Sequence, residues 1–316
     1  MKAAIVGLGH VGRAVAHTLV LKDLVRELVL VSRRSDFARG EALDLSHATS
    51  FEDHFTEVSA GDIEDAAGAE IVIVTSSAPM AADMNDRHAL AVPNYRLFAG
   101  LMPQIAAACP DATVVVITNP VDVMTWHALE LTGLPPERVL GLGTIVDTAR
   151  LRSLLSAEFA IHADDLRVYV IGEHGRNQVP AFGMAAAGAE PIEDRPRIRE
   201  LARRTASAGF EVFRDRGYTN YAIANACARL VETIAFDLNR VIPVSLRIDD
   251  YEGVGGCCLS LPAVVGRRGV TRVLRPELTE EEAEKFRLGA ERVRRSIEAS
   301  REAAIAPRMT PNGTDR

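Results

Sequence analysis

Three polar residues in the middle of the chain have the types and spacing that acid–base chemistry needs. Asp147 and Arg150 are three positions apart in DTAR, so a helix there would place both side chains on one face. A strand at residues 167–171 would return His174, in GEHG, to that face. A carboxylate beside an imidazole fixes its tautomer and makes it a general acid and base, and a guanidinium offers two parallel donors to a substrate carboxylate. The alternative is a surface ion pair and a histidine in a turn.

A glycine-rich turn near the N-terminus predicts a dinucleotide site. A short apolar strand, the motif GLGHVG, an amphipathic helix and a second apolar strand follow one another within residues 2–31. Gly7 permits the tight turn, Gly9 lets the backbone approach a pyrophosphate, and Gly12 lets the helix pack closely on the strand. The helix N-terminus would supply free N–H groups to the phosphates. The alternative is a turn that only joins strand to helix. The predicted cofactor residues are Gly7, Gly9, His10, Val11 and Gly12.

The residues after the second strand indicate which dinucleotide is preferred. An acidic residue usually lies here and accepts hydrogen bonds from the adenosine ribose of NAD. This chain has Ser32, Arg33 and Arg34 instead. A carboxylate would repel a 2′-phosphate, whereas a hydroxyl and two guanidinium groups would bind one. We therefore predict a preference for NADP(H), with NAD(H) possible. The alternative is that both arginines are solvated loop charges.

Two continuous apolar runs, at residues 71–75 and 113–118, are typical of parallel strands that are buried on both faces. Ligands bind beyond the carboxyl ends of such strands. We therefore expect Ser76 and Asn119, which follow these runs, to lie at the binding edge of the sheet. The alternative for Asn119 is a turn residue before proline.

A long loop of small residues, 76–86, separates the first of these runs from a helix predicted at about 87–107. A loop of this length between a strand and a helix is where a lid over a substrate would lie. Arg87, at its far end, could swing onto a bound substrate. The sequence thus places a third candidate cation near the site.

The pattern changes after Gly141, where alternating units give way to long helices and paired strands, so we place a domain boundary near residue 143. Residues 1–142 are predicted to form a Rossmann domain, an α/β unit with a doubly wound parallel sheet. Residues 143–306 are predicted to form an α+β catalytic domain with an antiparallel sheet, and residues 307–316 a disordered tail. The predicted elements are helices at 196–216 and 221–238, strands at 241–248 and 258–265, and a C-terminal helix with Thr279 as its N-cap.

Composition excludes several classes of function. The net charge of −7 argues against a nucleic-acid partner, because phosphate binding needs a basic surface. No secretory signal and no run of about 20 apolar residues is visible, so we expect a cytoplasmic protein without a membrane partner. The four cysteines lack metal-site spacing, so we expect no metal and reduced, largely buried thiols.

Six motifs in order along the chain resemble the lactate/malate dehydrogenase family over nearly its whole length. They are GLGHVG, TNPVDV, DTARLR, GEHG, GYTNYAIA and LSLPAVVGRRGV. Several of them look most like the L-2-hydroxyisocaproate dehydrogenases within that family. The resemblance implies hydride transfer between a nicotinamide cofactor and a small 2-oxoacid or L-2-hydroxyacid, carried out by a homodimer or homotetramer.

The resemblance also implies a role for each candidate residue. His174 would donate a proton to the ketone oxygen, and Asp147 would stabilise the imidazolium. Arg150 would clamp the substrate carboxylate, and Arg87 would polarise the carbonyl as charge develops on oxygen. Asn119 would orient the substrate oxygen and the nicotinamide ribose. The residues expected to line the pocket beside the substrate are Thr219 and Ile223.

Departures from the family pattern bear on the substrate. The lid residue six positions before Arg87 is Ala81, where an arginine suits a second carboxylate and a glutamine suits lactate. Without a cation there, oxaloacetate is disfavoured, and small lid residues leave room for a medium or large side chain. This alignment fails if the lid contains an insertion. Arg176 could supply a cation from another side, or could be a surface charge.

Two alternatives stay open. Within the class, the chain could be a malate or lactate dehydrogenase. In another class, it could be a nucleotide-sensing protein that kept the fold and lost turnover. The intact set of candidate residues argues against the second alternative, because a binding module needs no proton donor. Arg152 and Arg167 align with positions that bind an anionic effector in some relatives, but we do not predict allostery.

Overall fold

The computed structural model describes residues 1–79, 87–193 and 195–305 of the chain. Ala81 lies outside the described residues, and so do residues 307–316, where a tail is predicted. Among the helices of the described ranges, none combines the length and the apolar composition that a transmembrane span needs.

The first part of the chain alternates strands and helices. Its elements are β1 Lys2–Val6, α1 His10–Leu21, β2 Glu27–Val31, α2 Ser35–Ala48, β3 Glu57–Gly61, β4 Ile71–Val74, α3 Ala91–Ala108, β5 Thr113–Val116, α4 Val121–Thr132 and β6 Val139–Gly141. The second part contains longer helices and antiparallel strands. Its elements are α5 Ile145–Phe159, β7 Leu166–Ile171, β8 Val179–Ala187, β9 Glu190–Pro191, α6 Pro196–Arg216, α7 Tyr221–Ala235, β10 Arg240–Ile248, β11 Cys257–Gly266, β12 Gly269–Val273 and α8 Glu280–Ile305.

Successive residues of β1 belong to two different hydrophobic cores. Ala3 and Ile5 lie in one cluster with buried residues of α1, whereas Ala4 and Val6 lie in another with buried residues of α3. Side chains alternate across a strand, so both faces of the sheet are covered by helices. The predicted doubly wound α/β fold is confirmed.

One sheet of nine strands runs through both parts of the chain, in the order β12-β11-β10-β6-β5-β4-β1-β2-β3. Strands β1 to β6 are parallel, and β10 to β12 are antiparallel, as predicted. The antiparallel strands are not a separate layer, because β10 pairs with β6 at Ser245 and Gly141. A second, antiparallel sheet has the order β7-β8-β9. The domain boundary predicted near residue 143 stays a prediction, since the large sheet crosses it.

The helix predicted from residue 87 is divided. Arg87–Leu90 form a 3-10 turn, and the α-helix begins at Ala91. Pro93 has no N–H to donate to Ala89, so a continuous α-helix across this segment would lose one of its bonds. The turn therefore holds residues 87–90 in a conformation separate from α3.

The helix predicted at 221–238 ends three residues early. The backbone after Ala235 turns through Asp237 and Asn239, which both have a φ of 51°. Aspartate and asparagine tolerate this left-handed region better than most residues, so they end the helix. The start of α8 is as predicted, because Thr279 Oγ1 accepts from the Glu282 N–H at 3.3 Å and Glu282 Oε2 accepts from the Thr279 N–H at 2.8 Å.

All four cysteines are free and buried, as predicted. Burial raises the pKa of Cys227 to about 12 and that of Cys257 to about 11. Both therefore stay in the unreactive thiol form at neutral pH.

Candidate active site

Asp147 lies between the other two residues of the candidate acid–base site. It belongs to the first turn of α5, and its Oδ1 accepts a hydrogen bond from Arg150 Nη1 at 3.1 Å. Its Oδ2 lies 2.6 Å from Nδ1 of His174, in the loop after β7. The Asp147 side chain is 4% exposed, so this carboxylate is almost entirely removed from water. The structure thus brings together the three residues that the sequence singled out.

This geometry fixes the state of the imidazole. Because Nδ1 of His174 faces a carboxylate, the proton resides on Nδ1 in the neutral ring. The other nitrogen, Nε2, is then the atom that can accept or donate a proton. The arrangement suits a general acid and base whose imidazolium is stabilised by Asp147.

A second carboxylate supports the backbone of the same loop. Asp122, in the first turn of α4, accepts from the His174 N–H at 2.8 Å through Oδ2 and from the Ser245 hydroxyl at 2.6 Å through Oδ1. Burial raises the pKa of Asp122 from 3.8 to about 6, although these hydrogen bonds oppose the shift. Asp122 lies in the motif TNPVDV but was not predictable as a site residue, because its partners are distant in the sequence.

A cavity of about 80 Å³, open to solvent, lies over these residues. The sequence-predicted residues that line it are Asn119, Asp147, Arg150, His174, Thr219 and Ile223. Arg176 is exposed and also lines the cavity. Residues that sequence reasoning missed line it too, namely His88, Glu173, Gln178 and Arg292. His88 and Glu173 could have been found from the sequence, because they are adjacent to Arg87 and His174.

The loop at Asn119 is held by a buried residue of α3 that the sequence analysis did not identify. Asn94 Nδ2 donates to the Asn119 carbonyl at 2.7 Å, and Asn94 Oδ1 accepts from the Ala78 N–H at 2.6 Å. Asn94 therefore ties the segments that follow β4 and β5 to one another. This places Asn119 at the carboxyl edge of the sheet, where ligands bind in such folds.

A second, larger depression of about 1870 Å³ runs along that edge and is called here the groove. It shares Ile117, Asn119, Thr219 and Ile223 with the cavity, so the two spaces meet at these residues. All but one of the predicted cofactor residues line the groove. They are Gly7, Gly9, His10, Val11, Ser32, Arg33, Arg34, Ser76 and Asn119.

The glycine turn has the shape that a pyrophosphate needs. Gly7 has a φ of 108°, and a Cβ there would lie 2.5 Å from the Ser76 nitrogen. Gly12 does not line the groove, because it packs against the turn, where a Cβ would lie 2.0 Å from the Gly7 oxygen. A Cβ on Gly9 would meet no atom within 4 Å, so the backbone there is open to a ligand. Since α1 begins at His10, its free N–H groups lie at the same turn.

Two arginines lie against one aromatic ring beside the end of β2. The guanidinium carbon of Arg34 is 4.7 Å from the centre of the Phe37 ring, and that of Arg13 is 5.7 Å from it. The Arg34 N–H donates to the Ser32 hydroxyl at 3.3 Å. Arg13 also pairs with Glu41 at 3.5 Å. Sequence reasoning missed Arg13 and Phe37, although both line the groove.

Comparisons with known proteins agree with this architecture. A sequence model described as the lactate/malate dehydrogenase NAD binding domain matches residues 1–141. A second, described as the lactate/malate dehydrogenase alpha/beta C-terminal domain, matches residues 144–304. The first match implies a nicotinamide cofactor for this chain.

The relatives with substantial identity include several bacterial L-lactate dehydrogenases. The protein of that name from Thermus aquaticus is 41% identical over 304 residues, which cover 92% of this chain and 96% of the relative. Those from Gloeobacter violaceus and a Synechococcus species are each 36% identical, over 94% and 95% of this chain and 93% and 100% of the relatives. These names do not support the closer likeness to hydroxyisocaproate dehydrogenases. Models of one family match both halves of the chain, and named L-lactate dehydrogenases align with it along almost its whole length. The chain therefore belongs to the lactate/malate dehydrogenase family.

Proposed function

We propose that this oxidoreductase interconverts pyruvate and L-lactate, or a closely similar 2-oxoacid and L-2-hydroxyacid, with NADP(H) as the preferred cofactor. The observation that carries the reaction class is the shared contact of Asp147 with His174 at 2.6 Å and with Arg150 at 3.1 Å. His174, the proton donor, and Arg150, the cation that would bind the substrate carboxylate, thereby contact the same buried carboxylate. All three residues line the cavity, which meets the groove at Asn119, Thr219 and Ile223 among others.

Each residue has a distinct task in the proposed reduction. Arg150 binds the substrate carboxylate through parallel N–H donors, and Asn119 orients the carbonyl oxygen. His174 donates the proton from Nε2 to that oxygen, while Asp147 stabilises the imidazolium before the transfer. Arg87 polarises the carbonyl from the turn that it begins. A reduced nicotinamide, when bound in the groove, supplies the hydride to the carbonyl carbon.

The choice of pyruvate rests on the relatives, which are named L-lactate dehydrogenases. It replaces the medium or large side chain that the lid sequence favours. The larger side chain remains a second candidate because the cavity wall is built partly of small residues. Gly143, Gly175, Ala206 and Gly209 all line it.

The preference for NADP(H) rests on the residues beside the end of β2. Ser32, Arg33 and Arg34 line the groove there, and the ring of Phe37 lies beside the Arg34 guanidinium. A stacked guanidinium is held in place at little cost and can still donate to a phosphate. Asp62 and Glu64 also line the groove and could accept from ribose hydroxyls, which is why NAD(H) stays the alternative.

A steady-state screen tests both choices. We expect kcat/KM to be highest for pyruvate among pyruvate, 2-oxobutyrate, 4-methyl-2-oxopentanoate and oxaloacetate, and higher with NADPH than with NADH. A maximum at 4-methyl-2-oxopentanoate would establish the larger side chain instead. Equal or higher kcat/KM with NADH would overturn the cofactor preference alone.

The His174→Ala variant tests the mechanism. We expect it to lose most of kcat while the dissociation constant for NADPH, measured by fluorescence, stays at the wild-type value. Turnover at the wild-type rate would remove His174 from the mechanism. Binding of NADPH by the wild-type protein with no turnover of any 2-oxoacid would favour a nucleotide-sensing protein.

Assembly and location follow from family resemblance and composition. We propose a homodimer or homotetramer in the cytoplasm. Light scattering of the purified protein tests the first part, and a mass equal to one chain would contradict it.

A further inference from the structure

The residues next to Arg87 and His174 in the sequence contact one another at the wall of the cavity. His88 follows Arg87, and Glu173 precedes His174. His88 Nε2 lies 2.9 Å from Glu173 Oε1. This contact joins the segment that contains Arg87 to the loop that contains His174, one residue away from each. The side chains of His88 and Glu173 are 14% and 1% exposed, so water competes little for this contact.

The Glu173 carboxylate is a fixed anchor. Its Oε2 accepts from Asn177 Nδ2 at 2.6 Å, and its Oε1 lies 3.3 Å from Arg292 Nη1 of α8. Burial raises the pKa of the Glu173 carboxyl. The contacts with His88, Arg292 and Asn177, of which that with His88 is the largest, lower it by more, so the net shift is downward. The group is therefore an anion at neutral pH, with donors from three separate segments of the chain.

His88 is held from its other side as well. Its Nδ1 lies 2.7 Å from the Ser296 hydroxyl, which is also on α8. Nε2 donates to Glu173, and Nδ1 shares a hydrogen bond with the Ser296 hydroxyl, so both ring nitrogens have partners. The 3-10 turn Arg87–Leu90 is thereby attached to the His174 loop and to α8 at once.

We propose that His88 is a positioning residue of the active site, which holds the backbone at Arg87 in register with His174 through its contacts with Glu173 and Ser296. This inference rests on the proposed function, because Arg87 matters to turnover only if the carbonyl of a 2-oxoacid is reduced here. His88 acts through Arg87 and does not exchange the proton itself.

The effect of His88 on the rate depends on the distance between Arg87 and the substrate. Arg87 must lie within hydrogen-bond reach of the carbonyl oxygen as negative charge develops there, and displacement of a reacting group by about 1 Å can cost on the order of a hundredfold in rate. Loss of the His88 contact would also leave Glu173 with one donor fewer in a buried place. The displacement of Arg87 acts on the step in which charge develops, so kcat should fall more than KM rises, whereas the lost donor lowers the stability of the folded protein.

Two substitutions separate the contact from the volume of the ring. His88→Leu removes both polar contacts, and we expect kcat for 2-oxoacid reduction to fall by about 10- to 100-fold. His88→Gln keeps an N–H donor that can reach Glu173, and we expect it to retain most of the wild-type kcat. The NADPH dissociation constant should be unchanged in both variants, because His88 does not line the groove.

His54→Leu is the matched control. His54 is also partly buried and has its Nε2 2.8 Å from a backbone carbonyl, that of Val20, but it lies outside both the cavity and the groove. We expect its kcat to equal that of the wild type. If His88→Leu fails to fold, Ser296→Ala removes only the Nδ1 contact and should lower kcat by a smaller factor.

Amide hydrogen exchange gives a readout that does not need turnover. Exchange in the peptide that contains residues 87–90 should be faster in His88→Leu than in the wild type and in His54→Leu. Slower turnover of His88→Leu with rescue in His88→Gln, together with faster exchange, supports the proposal. Wild-type kcat, or unchanged exchange in the peptide, overturns it while leaving the proposed function intact. Failure of the proposed function itself would appear as wild-type protein that reduces no 2-oxoacid.

Discussion

Asp147 serves two side chains with its two carboxylate oxygens. Oδ2 meets the imidazole of His174 and Oδ1 meets the guanidinium of Arg150. A neutral amide at this position would keep the shape but lose the negative charge that stabilises an imidazolium. It would also place an N–H₂ group opposite one of two donors, His174 Nδ1 or Arg150 Nη1.

We therefore expect Asp147→Asn to lower kcat by up to about 10⁴-fold, the loss seen when the orienting carboxylate of a catalytic histidine is replaced by an amide. The NADPH dissociation constant should stay unchanged. Asp215→Asn is the control, since Asp215 pairs with Arg214 at the exposed surface. A kcat within twofold of the wild type in Asp147→Asn, by steady-state kinetics, would contradict the role of this carboxylate.

A substitution at Ser32 is expected to shift the cofactor preference from NADPH towards NADH. In Ser32→Asp, a carboxylate would accept hydrogen bonds from ribose hydroxyls and repel a 2′-phosphate. We expect the ratio of kcat/KM for NADPH to that for NADH to fall at least tenfold, with kcat little changed. Ser207→Asp, at an exposed serine elsewhere in the groove, should leave the ratio unchanged. An unchanged ratio in Ser32→Asp would mean that the 2′-phosphate does not lie at this residue.

Some site residues were predictable from the sequence and others were not. Asp147, Arg150 and His174 could be placed together because helical spacing and one returning strand fix their relation. His88 and Asp122 make contacts across 85 and 123 positions, to Glu173 and Ser245. No periodicity or spacing rule covers such distances, so only the fold reveals these partners.

At the scale of elements, α4 presents a buried acid to the loop after β7. Asp122 has a pKa of about 6 in the folded protein, against 3.8 ordinarily, because of burial. The folded state therefore binds this proton more tightly than the unfolded state does. Between about pH 4 and pH 6 the native form carries more bound protons, so this group lowers the free energy of unfolding as pH rises through that window.

We expect this contribution to amount to about 2 kcal/mol between pH 4 and pH 7, since each pKa unit is worth about 1.4 kcal/mol and part of the titration lies below pH 4. Urea unfolding of the wild type and of Asp122→Asn across this range measures it. The stability of the wild type relative to the variant should fall as pH rises, because an amide does not titrate. A difference that is independent of pH would show that Asp122 has an ordinary pKa in the folded state.

Element boundaries were predictable where a single residue decides them. α6 runs from Pro196 to Arg216 as predicted, with proline in its first turn and Gly217 at its end. The end of α7 depends on left-handed backbone at Asp237 and Asn239, which residue type permits but does not require. The lateral pairing of β10 with β6 depends on packing between distant segments, so the sequence did not reveal it.

At the scale of the whole molecule, the joint between β6 and β10 links the cofactor-binding strands to the rest of the chain. The backbones approach closely at Gly141, where a Cβ would lie 2.2 Å from Thr125 Oγ1 and 2.8 Å from Ser245 Cβ. Both neighbours are themselves fully buried, so neither side chain can move away into water. A side chain at residue 141 would therefore strain both parts of the large sheet.

We expect Gly141→Ala to lower the free energy of unfolding by roughly 1–3 kcal/mol, the usual cost of overpacking. Gly40→Ala is the matched control, because Gly40 lies on the exposed side of α2 and a Cβ there meets no atom within 4 Å. It should raise stability by about 0.5–1 kcal/mol, since alanine favours a helix. Urea unfolding followed by circular dichroism measures both, and equal effects of the two substitutions would contradict the close approach at Gly141.

The sharing of Asp147 between two cations has a thermodynamic consequence for ligand binding. An anion bound to Arg150 partly offsets the positive charge that the guanidinium presents to Asp147. The negative charge of the Asp147 carboxylate then stabilises a protonated imidazole more strongly. Bound anion and bound proton therefore assist one another, and by reciprocity each tightens the other's attachment. Titration calorimetry with an unreactive carboxylate, repeated in buffers with different ionisation enthalpies, should then record hydrogen ions passing from the buffer to the protein as the ligand binds.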